Sequence, residues 1–167
     1  FSRILYGARI SITVGLSIVI IAAVIGVAIG SVSGYCGGRV DRAIMAVTDM
    51  VLSFPSMVLA LALTAALGVG LFNTMLAVCI VRIPLYVRLM RGQVLSLKEE
   101  PYVKAARTFG ASPFWIVVHH ILPNCLSPLM VQMTLGIGDA ILIASSMSFI
   151  GLGAQPPLPE WGAMLST

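Results

Sequence analysis

Hydrophobic and polar positions alternate along this chain on the scale of whole segments rather than single turns. Three runs free of Asp, Glu, Lys and Arg, residues 10–38, 50–81 and 108–138, each exceed the roughly 20 apolar residues that cross a bilayer as a helix. In hydrocarbon every backbone amide must be satisfied within the protein, so such runs are helices even where Gly and Pro interrupt them. The pattern predicts four spans, from about Ile10 to Tyr35, Ile44 to Leu67, Asn73 to Gln93 and Asn124 to Ile150. The third is the least apolar, because Arg82 interrupts it. Small residues recur every four positions on the first span (Ala22, Gly26, Gly30, Gly34) and on the fourth (Gly136, Ala140, Ala144, Ser148). Such stripes let backbones approach closely where lipid removes the hydrophobic drive between helices. They speak for packing, not for a particular function. The expected fold class is all-α, a polytopic transmembrane helical bundle forming a single domain over residues 1–167.

Composition sharpens this. The chain is 59% apolar and 10% charged, against about 45–50% and about 25% in soluble domains, and its mean hydropathy is +1.04. A soluble globule is excluded. Ten basic and six acidic residues leave a net charge of +4, but the basic residues neither form a soluble face nor interleave with aromatics, so nucleic acid is not an expected partner. Their placement reads as membrane orientation. The connection at 37–42 holds Arg39 and Arg42, the one at 68–73 holds no charge, and the third holds Arg88, Arg91, Lys98, Lys104 and Arg107. By the positive-inside bias the first and third face the cytoplasm and the second faces outward. Arg3 and Arg9 run against this assignment, as expected if an earlier helix sets the orientation. The chain begins at Phe1 and stops at Ser166-Thr167, and a fragment of a longer protein is the expectation.

Candidate chemistry is sparse. Cys36, Cys79 and Cys125 are far apart with no CxxC pair, so neither a disulfide framework nor a metal site is indicated. No GxxxxGK[ST] occurs to cradle a nucleotide, and no HExxH or GxSxG. His119 and His120 are adjacent, which on one helix points them about 100° apart, and they read as interfacial residues. No cofactor and no catalytic residue is expected. Ionisable residues inside spans are the stronger candidates, since they are costly there and usually face an interior or an aqueous path. Asp139 is the deepest, and Gln132, Asp139 and Ser146 repeat at seven, on one helix face beside Gly136. Two readings stand for this set: a translocation path, or an Asp satisfied structurally by a neighbouring helix. Asp49 has Arg42 and Arg88 as possible partners, and Arg82 is expected to reach toward the cytoplasmic interface along its long stem.

The stretch at about 97–113 does not belong in a bilayer. Glu99 and Glu100 suit a helix N-terminus, Pro101 a first turn, and Gly110 a left-handed cap, with Ser112-Pro113 able to start another helix. A helix of about ten residues, roughly 15 Å long, is too short to span. On the residues alone it is a helix at the membrane surface, solvated or docked against something flat at Ala105-Ala106.

The order Tyr102-Val103-x-Ala105-Ala106-Arg107-x-x-Gly110-Ala111-Ser112, followed by His120-Ile121-Leu122-Pro123-Asn124, resembles the cytoplasmic "EAA" loop of ATP-binding-cassette importer permeases, and more narrowly their dipeptide, oligopeptide and nickel subfamily. Leu5-Tyr6-Gly7-Ala8-Arg9, Gly34-Tyr35-x-Gly37-Gly38, Phe54-Pro55, Val87-Arg88-Leu89-x-Arg91-Gly92-Gln93 and Ser148-Phe149-Ile150-Gly151-Leu152-Gly153-x-Gln155-Pro156-Pro157-x-Pro159-x-Trp161-Gly162 match the same subfamily in order. The resemblance implies a type I importer permease fold with six core spans, the first and last lying outside this chain. It implies a short coupling helix docking on a separate ATPase, which places that role on Glu100, Tyr102, Lys104, Ala105, Ala106, Arg107, Gly110, Ala111 and Ser112. Lys104 stands where the eponymous Glu often sits. It further implies a second, homologous permease subunit, an extracytoplasmic substrate-binding protein, and a home in the cytoplasmic (inner) membrane of a prokaryote. The implied activity is inward transport of dipeptides or oligopeptides by alternating access. Nickel or another small solute is the alternative cargo. A secondary transporter should show inverted repeats and a charged coupling path, and an intramembrane enzyme a nucleophile-base or di-carboxylate pair; the sequence displays neither.

Overall fold

The computed structural model describes residues 2–155 and 157–165; Phe1, Pro156, Ser166 and Thr167, all named above, lie outside the described residues. The described chain is helical: α1 (Ser2–Cys36), α2 (Gly38–Leu52), α3 (Ser56–Leu67), α4 (Leu71–Leu97), α5 (Pro101–Thr108), α6 (Pro113–Ile116), a π-helical turn (Val117–Ile121), α7 (Leu122–Phe149) and α8 (Trp161–Leu165). Among the described residues three stretches are long and apolar enough to cross a membrane: α1, α4, and the continuous run Pro113–Phe149. The expected helix from Ile44 to Leu67 is instead broken at Ser53-Phe54-Pro55 into α2 and α3. Proline disfavours the helical conformation in the residue before it and offers no N–H to the preceding turn, and Pro55 begins α3 with its carbonyl accepting from the Leu59 N–H at 3.0 Å. The pair qualifies as a span only when taken together.

Contacts divide the chain into two compact units. The first comprises residues 1–22, 52–82 and 133–167. Within it the small-residue stripe of α7 is packed away: Gly136, Ala140, Ala144 and Ser148 are all buried. A side chain on Gly15 of α1 would meet Ile141 and the carbonyl of Ile137. The loop after α7 returns to α4, where the Gly70 N–H and the Thr74 hydroxyl both donate to the Leu152 carbonyl at 3.0 and 3.2 Å.

The second unit comprises residues 23–51 and 83–132. Here Gly26, Gly30 and Gly34 let α1 lie directly on α4, against Tyr86, Val87, Met90 and Val94. A Cβ on Gly30 would sit 2.6 Å from the Val87 carbonyl oxygen and 2.8 Å from the Met90 Cβ, and backbone cannot yield as a flexible side chain can. Gly30→Leu is therefore expected to lower stability by about 1–3 kcal/mol, the range for overpacking. Thermal unfolding of the purified subunit in detergent checks it, and an unchanged midpoint would contradict close α1–α4 contact. Polar bonds lock the same unit. Arg91 donates to both oxygens of Asp41 at 2.5 and 2.7 Å, the Ser33 hydroxyl donates to Asp41 at 2.6 Å, and Lys98 reaches the Gly34 carbonyl at 3.2 Å. Of the two partners open to Asp49 in the sequence, Arg88 is the one observed, at 2.6 Å.

Candidate functional site: the surface helix and a charge pair on α4 and α7

The loop helix starts and stops where its residues require. Pro101 occupies the first turn of α5 behind Glu100, whose backbone is extended and whose side chain makes no cap bond. Instead Glu99 pairs with Lys104 at 3.0 Å on the surface, and that lysine holds the Glu99 carboxyl below its usual range. At the other end Gly110 has φ +84, the left-handed region that glycine enters freely. Its N–H donates to Arg107 and the next, of Ala111, to Ala106, both at 3.1 Å, which closes the helix. The Ser112 hydroxyl then accepts from the Trp115 N–H at 3.3 Å and caps α6, with Pro113 in its first turn. At eight residues, α5 is slightly shorter than expected.

Its packing is one-sided. Val103 is buried in a cluster with Met90, Val94, Ile116, Ile121 and Cys125, and Ala106 and Ala111 pack partly against it. Tyr102, Lys104, Ala105 and Arg107 are exposed, as are Glu100, Gly110 and Ser112. Phe109 is 90% exposed and Phe114 77%, so apolar rings stand in the open beside charged groups. An open depression of about 560 Å³ lies between Ala106, Phe109, Gly110, Trp115 and His120. Two histidines lie at this end, both against Trp115. His119 stacks on Trp115 at 4.7 Å, with its Nδ1 3.1 Å from the Trp115 carbonyl. His120 meets Trp115 edge-on at 4.9 Å and Tyr102 at 6.0 Å. Both sit in the π turn, where the Leu122 N–H reaches back five residues to the Val117 carbonyl. Pro123 accounts for it: lacking an N–H and crowding the carbonyl four residues back, it forces the preceding turn wider. Among the described residues no three of His, Cys, Asp and Glu converge to hold a metal.

The charged residues deep in the spans behave differently from the sequence expectation in one respect. Arg82 does not extend toward the cytoplasmic interface; it is 7% exposed and holds Asp139, Nη2 to Oδ2 2.7 Å, while the Asp139 side chain is 66% exposed. Burial of an arginine is tolerated only with a partner, and among the described residues Asp139 on α7 is that partner. Ser146 is half-buried and donates to the Leu142 carbonyl at 2.7 Å, and Gln132 is half-buried. Gly136, grouped with them from the sequence, is buried and belongs to the packed stripe rather than to the open edge of α7.

A third polar cluster was not anticipated. Glu160, 2% exposed, accepts from the Ser11 and Ser145 hydroxyls at 3.1 and 2.8 Å and from the Ala163 N–H at 3.1 Å. The Trp161 N–H donates to Ser11 at 3.3 Å and its ring N–H to the Ile4 carbonyl at 3.2 Å. Burial pushes the Glu160 carboxyl up, but Ser145, the Gly162 and Ala163 amides and Ser148 together outweigh it and hold it below its ordinary value. The signal in the sequence was a lone acid between Pro159 and Trp161 in an otherwise uncharged stretch.

Comparison with known proteins agrees with this architecture. A chain of the methionine ABC transporter MetNI in an inward-facing form superposes with a TM-score of 0.69 over 98% of this chain and 86% of that one, at 18% identity. The fold is that of a multi-span ABC importer permease. The chain belongs to the family of binding-protein-dependent transport system inner membrane components, matched over residues 26–167. It is 56% identical to the probable D,D-dipeptide transport system permease protein DdpC of Escherichia coli and 48% identical to the dipeptide transport system permease protein DppC of Alkalihalophilus pseudofirmus. It is 46% identical to the glutathione transport system permease protein GsiD of Pectobacterium atrosepticum. Each match covers 99% of this chain but 55–56% of the relative, so the chain spans about half the length of the curated relatives it matches.

Proposed function

We propose that this chain is the membrane-spanning part of a permease subunit that passes small peptides inward, driven by a separate ATPase and fed by an extracytoplasmic binding protein. The observation that carries the reading is the sequence relation to permeases named for dipeptides and glutathione, at 46–56% identity over 99% of the chain. The loop geometry supports it. Segment 97–113 lies on the cytoplasmic side in the orientation set by the arginines and lysines at 39–42 and 88–107. Val103 pins α5 to the core while Tyr102, Lys104, Ala105, Arg107 and Phe109 stand clear of it. An exposed ring flanked by cations suits a cleft with an apolar floor and an acidic rim on a nucleotide-hydrolysing partner. Pinning on one side lets a push on α5 reach the spans directly. A second, homologous permease completes the membrane assembly. The path runs along the face of α7 that carries Gln132, Asp139 and Ser146.

Purification of the tagged subunit from its own membrane tests this. The expected result is recovery of an ATPase, a second permease and a binding protein whose bound ligand is a peptide by mass spectrometry. Loss of the ATPase from the complex, or a binding protein loaded with nickel, would overturn the respective part.

A further inference from the structure

The Arg82–Asp139 pair sits at the depth where a membrane protein tolerates charge least. Leu71 opens α4 and Phe149 closes α7, and the bond between Gly70 and Leu152 ties those two ends together. Arg82 lies eleven residues into α4 and Asp139 ten residues back from the end of α7, which at 1.5 Å per residue places both about 15 Å from that common level. Half of a hydrocarbon core about 30 Å thick is the same distance. Yet the Asp139 side chain is two-thirds exposed while its arginine is buried. A carboxylate turned toward lipid at this depth costs several kcal/mol.

We propose that Asp139, held by Arg82, lines the aqueous path at the membrane midplane and takes the ammonium group of the passing cargo on its open Oδ1 edge; this rests on the peptide-importer reading. Among the described residues Arg82 pairs with Asp139 through Oδ2, which leaves Oδ1 open to a further donor. Arg82 positions the carboxylate and, by offsetting its charge, keeps the site weak. A site on a conduction path must bind well enough to admit the solute and weakly enough to release it, and an uncompensated acid in low dielectric would trap a cation. The chemical class recognised is therefore a solute bearing a primary ammonium, as the N-terminus of a peptide does.

The test uses the complete importer in proteoliposomes with ATP and its binding protein, and L-alanyl-L-alanine as the probe. Asp139→Asn is expected to lower dialanine uptake at least tenfold. The reversed pair, Arg82→Asp with Asp139→Arg, keeps the ion pair and is expected to assemble at normal yield while remaining as defective in uptake. A merely structural pair would be rescued by that reversal. Independently, Ser146→Cys, placed one heptad outward on the same face with Cys36, Cys79 and Cys125 changed to Ala, is expected to react with a membrane-impermeant cationic thiosulfonate and to be protected by dialanine. Normal uptake in Asp139→Asn, rescue in the reversed pair, or reaction at position 146 with lipid-soluble maleimide alone would overturn the proposal. A wild-type importer that takes up none of L-alanyl-L-alanine, D-alanyl-D-alanine and glutathione, the peptide classes for which its relatives are named, refutes the peptide reading instead, and so the two failures are told apart.

Discussion

Gly110→Val is expected to cut binding-protein-stimulated ATP hydrolysis by at least tenfold while leaving the subunit inserted and assembled. The reason is conformational, since nothing lies within 4 Å of the position a Cβ would take. What a side chain cannot accept is φ +84, which costs a β-branched residue of order 1–3 kcal/mol. The chain relieves that strain by moving Gly110 out of the left-handed region. Doing so breaks the bonds from the Gly110 and Ala111 amides that close α5 and turn the chain toward the Ser112 cap. Phe109 and Phe114, which flank this turn and are exposed, would then present a different surface to the proposed ATPase partner. Since about 1.4 kcal/mol is a factor of ten, a shift of this size suffices. Gly110→Asn, which tolerates the left-handed region, is expected to retain most of the stimulated activity. ATPase assays on the reconstituted complex decide it, and a valine variant hydrolysing at the wild-type rate would remove Gly110 from the coupling path.

The second large effect concerns Glu160. Glu160→Ala takes the acceptor away from two hydroxyls and a backbone amide at a buried site, at about 1–3 kcal/mol per unsatisfied group, and is expected to destabilise the subunit by about 3–5 kcal/mol. The pH dependence follows from the direction of its shift. The folded carboxyl lies below its ordinary value near 4.5, so its contribution is fully present above that value and is lost as the pH falls below it. Thermal unfolding of the detergent-purified subunit at pH 7 and at pH values below 4.5 should show the difference between wild type and Glu160→Gln shrinking on acidification. A difference independent of pH would mean that the group is not ionised in the fold.

The loop helix was the most legible part of the molecule. Pro101, Gly110 and Ser112-Pro113 act on their own backbone and on residues a few positions away, so their positions state where α5 ends and α6 begins. The small-residue stripes were legible for a similar reason, because an every-four spacing names a helix face before its partner is known. Asp49 could be narrowed to two partners but not to one, since Arg42 and Arg88 both come within reach of a helix end. The break at Ser53-Phe54-Pro55 was only half signalled. Proline marks a boundary, yet proline also sits inside α4 at Pro84 and inside α7 at Pro128 without ending either helix.

The sequence did not name the partners in the other long-range polar contacts. Arg82 and Asp139 stand 57 positions apart (139 − 82) and pair at 2.7 Å, while Glu160 gathers Ser11 from 149 positions away and Ser145 from 15. Taken alone, Arg82 read as a snorkelling arginine, Asp139 as a path residue or the partner of an unnamed helix, and Glu160 drew no reading. What the chain determined by itself was its solvent, its all-helical character and the caps of its surface helix. These follow from composition, from the need of every amide for a partner in hydrocarbon, and from steric limits on single residues. What only the tertiary structure decided was which charges meet. An ion pair or a buried carboxylate is defined by two or more elements arriving at one point, and no local periodicity encodes the place where separate helices converge.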